Sequence, residues 1–157
     1  MRNWLKQAAP PAPADRARVQ ETVRAIIADI EADGDAAVAR YARQFDKWEK
    51  AEFRESPDRI RAVGRALPET FKDDFAYALK QVTGFAMAQR NSLSEFATEI
   101  EPGVTLGQKL IPIEKVGCYI PGGKYPLIAA AIMSIATAKA AGCAHVIGAA
   151  PPRDADG

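Results

Sequence analysis

Sulfur and imidazole are scarce in this chain of 157 residues, which holds two cysteines, Cys118 and Cys143, and one histidine, His145. Two thiols cannot build the disulfide scaffold of a small secreted domain, so a reducing, cytoplasmic setting is expected. A zinc site takes three or four ligands from His, Cys and carboxylates. No close set of these occurs along the chain, so no metal ligand is assigned. A Ser-His-Asp array is missing too, because His145 lies in an apolar run with no carboxylate neighbour; no catalytic residue is assigned. Charge of one sign is also lacking. The 21 Lys and Arg stand against 20 Asp and Glu, a net charge of +1, which gives no field for drawing in nucleic acid or an anionic membrane. No run has the length and purity of a membrane span, and MRNWLKQAAPPAPADRARV lacks the apolar core of a signal peptide.

What is present is the composition of a globular chain, 48% hydrophobic and 26% charged, with a length that suits one domain. Residues 1–14 form a proline-rich arm around AAPPAPA. Residues 15–97 read as a helical region. Val19, Val23, Ile26, Ile27 and Ile30 follow helical spacing between Asp15, a candidate N-cap, and Gly34, a stop signal. Asp35 is the expected N-cap of a second helix, whose Val38, Tyr41, Ala42 and Phe45 form one stripe. Ser56-Pro57 is an N-cap and first-turn pair that opens a short helix with Ile60 and Val63. Pro68 starts a longer one with Phe71, Phe75, Leu79, Val82 and Phe85 as its core face and Gly84 inside it.

The pattern changes over residues 98–157. Partial alternation, broken by Pro102-Gly103 and by Pro112, predicts short strands and turns. From residue 113 the order is strand, glycine loop, helix and strand HVIGAA, closed by Pro151-Pro152. This is a βαβ unit. The fold class is therefore α/β, a helical region followed by the start of an incomplete Rossmann-like domain. The helix expected over residues 126–141 is alanine-rich and apolar nearly all round, so it needs partners on more than one side, with Ile128 and Ile132 as candidates for an uncovered surface. A doubly wound sheet needs further βα units beyond this one, and a truncated nucleotide-binding domain is expected.

VGCYIPGGKYP, residues 116–126, is the segment that can carry chemistry. Gly122 and Gly123 allow close backbone approach between a strand and a helix, whose amino end can receive an anionic group. Lys124 adds a positive charge, and Tyr119 and Tyr125 can stack or donate a hydrogen bond. Read as a glycine pair alone, PGG is an ordinary tight turn, since its spacing fits neither GxGxxG nor a Walker loop. Tyr119 is then a packed strand residue, Lys124 a solvated charge, the two cysteines small apolar residues and His145 structural.

The longer run VGCYIPGGKYPLIAAAIMSIATAKAAGCAHVIGAAPP resembles the histidinol dehydrogenase family, whose members carry VGxYxPGG, an apolar helix ending in AKxAG and a strand ending in PP. The likeness extends back through PGVTLGQKLIPIEKVG, FDKWEKAEF and DIEADGDAAVARYARQFD. KYPLIAAAIMS, and LIP where biosynthetic members usually have an arginine before the proline, resemble the sulfopropanediol 3-dehydrogenase branch. The resemblance implies NAD-dependent oxidation of a small-molecule alcohol, zinc that holds the substrate, a Glu-His pair for proton transfer, and a homodimer. It also implies that Tyr119, the tyrosine of VGxYxPGG, contacts NAD. The family's zinc ligands and Glu-His pair lie beyond the point where this chain ends, so none carries over. An N-terminal fragment, inactive alone, is expected. The rival expectation is a non-catalytic subunit-interaction module derived from the family.

Overall fold

The computed structural model describes residues 13–122 and 126–152, with the backbone alone for residues 13–15. Contacts divide the chain into two compact units, the first ending at Ala51 and the second beginning at Glu52. The first is helical. α1 (Pro13–Asp33) ends at Gly34, whose φ of 56° favours a residue without a Cβ. α2 (Asp35–Tyr41) follows at once and continues as a π-helical segment (Ala42–Asp46). The cap of α2 is Gly34 and not Asp35, because the Gly34 carbonyl accepts from the amides of Ala37 and Val38 at 3.1 and 3.2 Å. Asp35 instead lies in the first turn, where its charge suits the amino end of the helix dipole.

A polar clamp joins the two helices. The Tyr41 hydroxyl donates to Asp29 Oδ2 at 2.6 Å, and Arg40 reaches Asp29 at 3.4 Å and Asp33 at 3.2 Å. The Tyr41 hydrogen bond, aided by Arg40, holds the Asp29 carboxyl below its ordinary value. The same bond holds the Tyr41 phenol above its own. The Tyr41 ring stacks on Phe45, centroids 5.7 Å apart. Val19, Val23 and Ile27 of α1 stay exposed.

The second unit contains α3 (Pro57–Ala66), α4 (Glu69–Asn91), β1 (Phe96–Glu101), β2 (Val104–Gln108), β3 (Lys115–Tyr119), α5 (Ile128–Ala131), α6 (Thr137–Ala140) and β4 (His145–Ala149). Ser56 caps α3 as its sequence suggests, with Oγ accepting from the Arg59 amide at 3.1 Å and Pro57 at the first helical position. β1 and β2 form an antiparallel hairpin across Pro102-Gly103, with an irregularity between Glu99 and Glu101. The Gly103 amide donates to Glu99 Oε1 at 2.7 Å, which ties the turn to its own strand. β3 and β4 are a separate, parallel pair, the arrangement a βαβ crossover produces.

The connection between them is one helical rod in three segments, α5, a π-helical stretch (Ile132–Ala136) and α6. It begins at Ile128, two residues later than Pro126, with Leu127 at the cap. Ser134 Oγ donates back to the Ala130 carbonyl at 2.7 Å, and Thr137 Oγ1 donates to that of Met133, so hydroxyls occupy backbone acceptors where the rod widens. One side packs on α4 across an open groove of about 570 Å³, lined by Phe75, Leu79 and Met87 of α4 and by Ile132, Ile135 and Ala136. Arg90 at the end of α4 donates to the Ala140 carbonyl at 3.2 Å, which satisfies an acceptor at the carboxyl end of the rod.

Several expectations change here: Phe75 and Leu79 border the open groove and stay 36% and 38% exposed, so they are not core. Phe85 is exposed and not core, because it lies about a third of a turn from the row of α4 that meets the rod. Ile132 is 6% exposed, because it faces α4; it is not the uncovered surface expected of it, whereas Met133 beside it is exposed. Ile132→Ala is expected to lower unfolding free energy by about 2–4 kcal/mol, and Met133→Ala by no more than roughly 0.5 kcal/mol, both read by chemical denaturation. In the first unit, the Asp29 contribution is full above pH 3.8 and fades as pH falls through its lowered folded value. The Tyr41 contribution is full below pH 10.0 and fades as pH rises through its raised folded value. Ultraviolet titration, with Tyr41→Phe as the subtraction, is expected to find this phenol ionising above 10.0, and Asp29→Asn to bring it down.

Candidate functional site

The parallel register pairs Lys115 with His145, Gly117 with Ile147, and Tyr119 with Ala149. Strand alternation then turns Val116, Cys118, Val146 and Gly148 toward the helical rod, and Lys115, Gly117, Tyr119, His145 and Ile147 to the other face. Burial agrees, with Cys118 5% exposed against 68% for Tyr119 and 69% for Ile147. Both faces of a parallel sheet are normally covered. Tyr119 therefore shares an open apolar face, but as the last residue of β3 it stands at its carboxyl rim.

That rim is where ligands sit in open α/β sheets. Past Tyr119 the Ile120 amide donates to the Ala149 carbonyl at 2.7 Å, so the strands stay joined one residue beyond the ladder. Pro121-Gly122 leaves on the β3 side and Pro151-Pro152 on the β4 side, and Gly122 meets the Pro151 ring. Gly123, Lys124 and Tyr125, expected to complete the loop, lie outside the described residues. An exposed aromatic ring with a hydroxyl, beside a backbone without a side chain, can stack on a flat ring and hydrogen-bond to a polar ligand.

His145 does not join this edge. It heads β4, four residues before Ala149, about 13 Å away at the rise of a parallel strand. It borders an open depression of about 390 Å³ with Lys115, Gly117 and Ile147, which is the uncovered sheet face. Cys118 lies under the rod and Cys143 is half-buried after it; both are free thiols. Among the described residues no three His, Cys, Asp or Glu side chains come together as metal ligands, so the donors present do not fit zinc. No helix among them is long and apolar enough to cross a membrane.

The histidinol dehydrogenase family model matches residues 11–157. The chain belongs to the histidinol dehydrogenase family. It is 46% identical over 150 residues to sulfopropanediol 3-dehydrogenase of Ruegeria pomeroyi, covering 96% of this chain and 34% of that protein. It is 47% identical over 135 residues to a histidinol dehydrogenase homolog of Shouchella clausii, covering 86% of this chain and 32% of that one. The crystal structure of histidinol dehydrogenase from Elizabethkingia anophelis superposes with a TM-score of 0.76 at 27% identity, over 94% of this chain and 32% of that chain. This family member thus spans about a third of the length of the relatives it matches. The relatives are dehydrogenases, and the α/β architecture agrees with the solved neighbour.

Sequence reasoning placed Tyr119 at the end of a strand before a glycine loop, and that is its position. It did not mark Gly148 or the meeting of Gly122 with Pro151. The alternation of β4 puts Gly148 on the helix side, which was the available signal; the second contact joins residues 29 apart and has no local signature. Because its ring is exposed, Tyr119→Ser is expected to change stability by less than about 0.5 kcal/mol in a thermal or chemical melt.

Proposed function

We propose that this chain is the N-terminal, cofactor-seating part of an NAD-dependent alcohol dehydrogenase, with Tyr119 as a contact for NAD. The observation that carries the reading is the exposed Tyr119 ring at the carboxyl rim of a parallel pair, beside a glycine loop, in a chain of this family. Held beside Tyr119, NAD would supply the hydride acceptor for oxidation of an alcohol to a carbonyl compound, with the hydroxyl proton passing to a base. This chain's part is to seat and orient: Tyr119 presents an aromatic face and a hydroxyl. The base, and the zinc that holds substrate in the family, are assigned to residues outside this chain. The alcohol proposed is a sulfopropanediol-like or histidinol-like molecule, supported by the named relatives. A cytoplasmic setting is supported by the two free thiols.

Isothermal titration of the chain with NAD is expected to show binding, weakened about tenfold by Tyr119→Ala through loss of one stacking surface. No sustained NADH formation is expected with either alcohol, because hydride transfer needs a positioned base that the described residues do not assemble. Undiminished NAD binding by Tyr119→Ala contradicts the assignment. Steady turnover contradicts the division of labour.

The second reading, a subunit-interaction module, rests on the exposed stripe Val19, Val23 and Ile27 on α1. A homodimer belongs to both readings. Light scattering over a concentration series is expected to show association, reduced by Val23→Lys. A monomer at all concentrations removes this second reading and takes the homodimer from the first.

A further inference from the structure

Gly122 and Pro151 lie just past the ends of the two strands that frame the Tyr119 rim. A Cβ at Gly122 would overlap Pro151 Cγ and come to 3.3 Å from Cδ and 3.6 Å from Cβ of the same ring. Gly122 is not among the glycines with positive φ, so alanine meets no left-handed backbone strain there. The three atoms nearest to a side chain there all belong to the pyrrolidine ring. The Pro151 ring is half-buried and occupies the space a Cβ would fill. Next to this contact, the Ile120 amide donates to the Ala149 carbonyl at 2.7 Å, the last bond between the strands. The two exits from the sheet are therefore tied by one hydrogen bond and one ring seated on a bare backbone.

We propose that Pro151 is a positioning residue: its ring, seated against Gly122, sets the spacing between Pro121-Gly122 after β3 and Pro151-Pro152 after β4 and so holds the Tyr119 rim in the form that receives a dinucleotide. The nucleotide part of this inference rests on the function proposed above. The proline suits the task because its φ is already fixed, so little chain freedom is lost in holding the contact. Pro152 keeps residue 151 extended even when the first proline is replaced. Pro151→Ala therefore removes Cγ and Cδ, the atoms that crowd position 122, while it retains the Cβ at an ordinary 3.6 Å.

The test is a double-mutant cycle on the chain, with wild type, Gly122→Ala, Pro151→Ala and the double variant. Amide exchange of Ile120 and titration with NAD are both read. Gly122→Ala alone is expected to speed Ile120 exchange and weaken NAD binding, each about tenfold, the size of one lost hydrogen bond. With Pro151→Ala already present, the same glycine change is expected to cost less than about twofold in either. Equal effects of Gly122→Ala in both backgrounds overturn the ring contact. Coupled exchange with unaltered NAD affinity leaves the contact structural and overturns the positioning role. Absence of NAD binding by wild type defeats the function proposed above and the nucleotide role with it, while Ile120 exchange still decides whether the ring sets the spacing. A fall in the thermal midpoint of Gly122→Ala that the double variant does not recover likewise counts against the proposal.

Discussion

The second unit depends on how closely a helical rod approaches a pair of parallel strands. Gly148 in β4 eases the approach: a Cβ there would stand 3.2 Å from Ile135 Cδ1 and 3.3 Å from Ile120 Cδ1, so both side-chain ends would have to give by a few tenths of an ångström. Two apolar side chains, one from the rod and one from the loop after β3, thus fill the space over the strand. Removing Cβ at one strand position lets larger side chains from neighbouring elements interdigitate, which is how a two-stranded sheet acquires a packed face. The alanines of the rod serve the same end, since Ala136 and Ala140 are buried on the side of the rod that meets α4, where small side chains let the two helical elements approach.

From this packing follows the placement of the chemistry. With Cys118 turned under the rod, alternation sends Tyr119 to the opposite face at the end of the strand. A one-residue slip would bury the tyrosine and expose the thiol. The other side of the rod rests on α4, where Ile132 and Ile135 meet Phe75 and Leu79 and Arg90 caps the Ala140 carbonyl. The rod thus has partners on two sides, as an element apolar around most of its circumference requires. The first unit holds itself differently, through a charged and hydroxyl clamp among Asp29, Asp33, Arg40 and Tyr41.

Much of this was readable in the residues. Helix limits at Gly34 and Ser56-Pro57, the Pro102-Gly103 hairpin and the βαβ order all have local causes, namely backbone freedom, capping chemistry and periodicity. The π-helical segments did not, because Ala42–Asp46 and Ile132–Ala136 have ordinary helical composition and differ only in which carbonyl each amide reaches. Phe85 and Ile132 show the limit of periodicity: spacing tells which residues share a face but not which part of a broad apolar face meets a partner. The proposal of Tyr119 as an NAD contact rests on the family motif; strand and loop chemistry alone favoured a packed core tyrosine. Gly122 against Pro151 is a tertiary contact and leaves no trace in either segment.

If the rod is the element on which the second unit depends, α4, the rod and the parallel pair must open as one. Native-state hydrogen exchange across increasing denaturant measures this directly. The account expects the amides of Val116 to Tyr119, Val146 to Ala149, and the buried row of α4 to converge on one opening free energy. Exchange of the β3–β4 amides at a markedly lower free energy than those of α4, with no convergence, would contradict it.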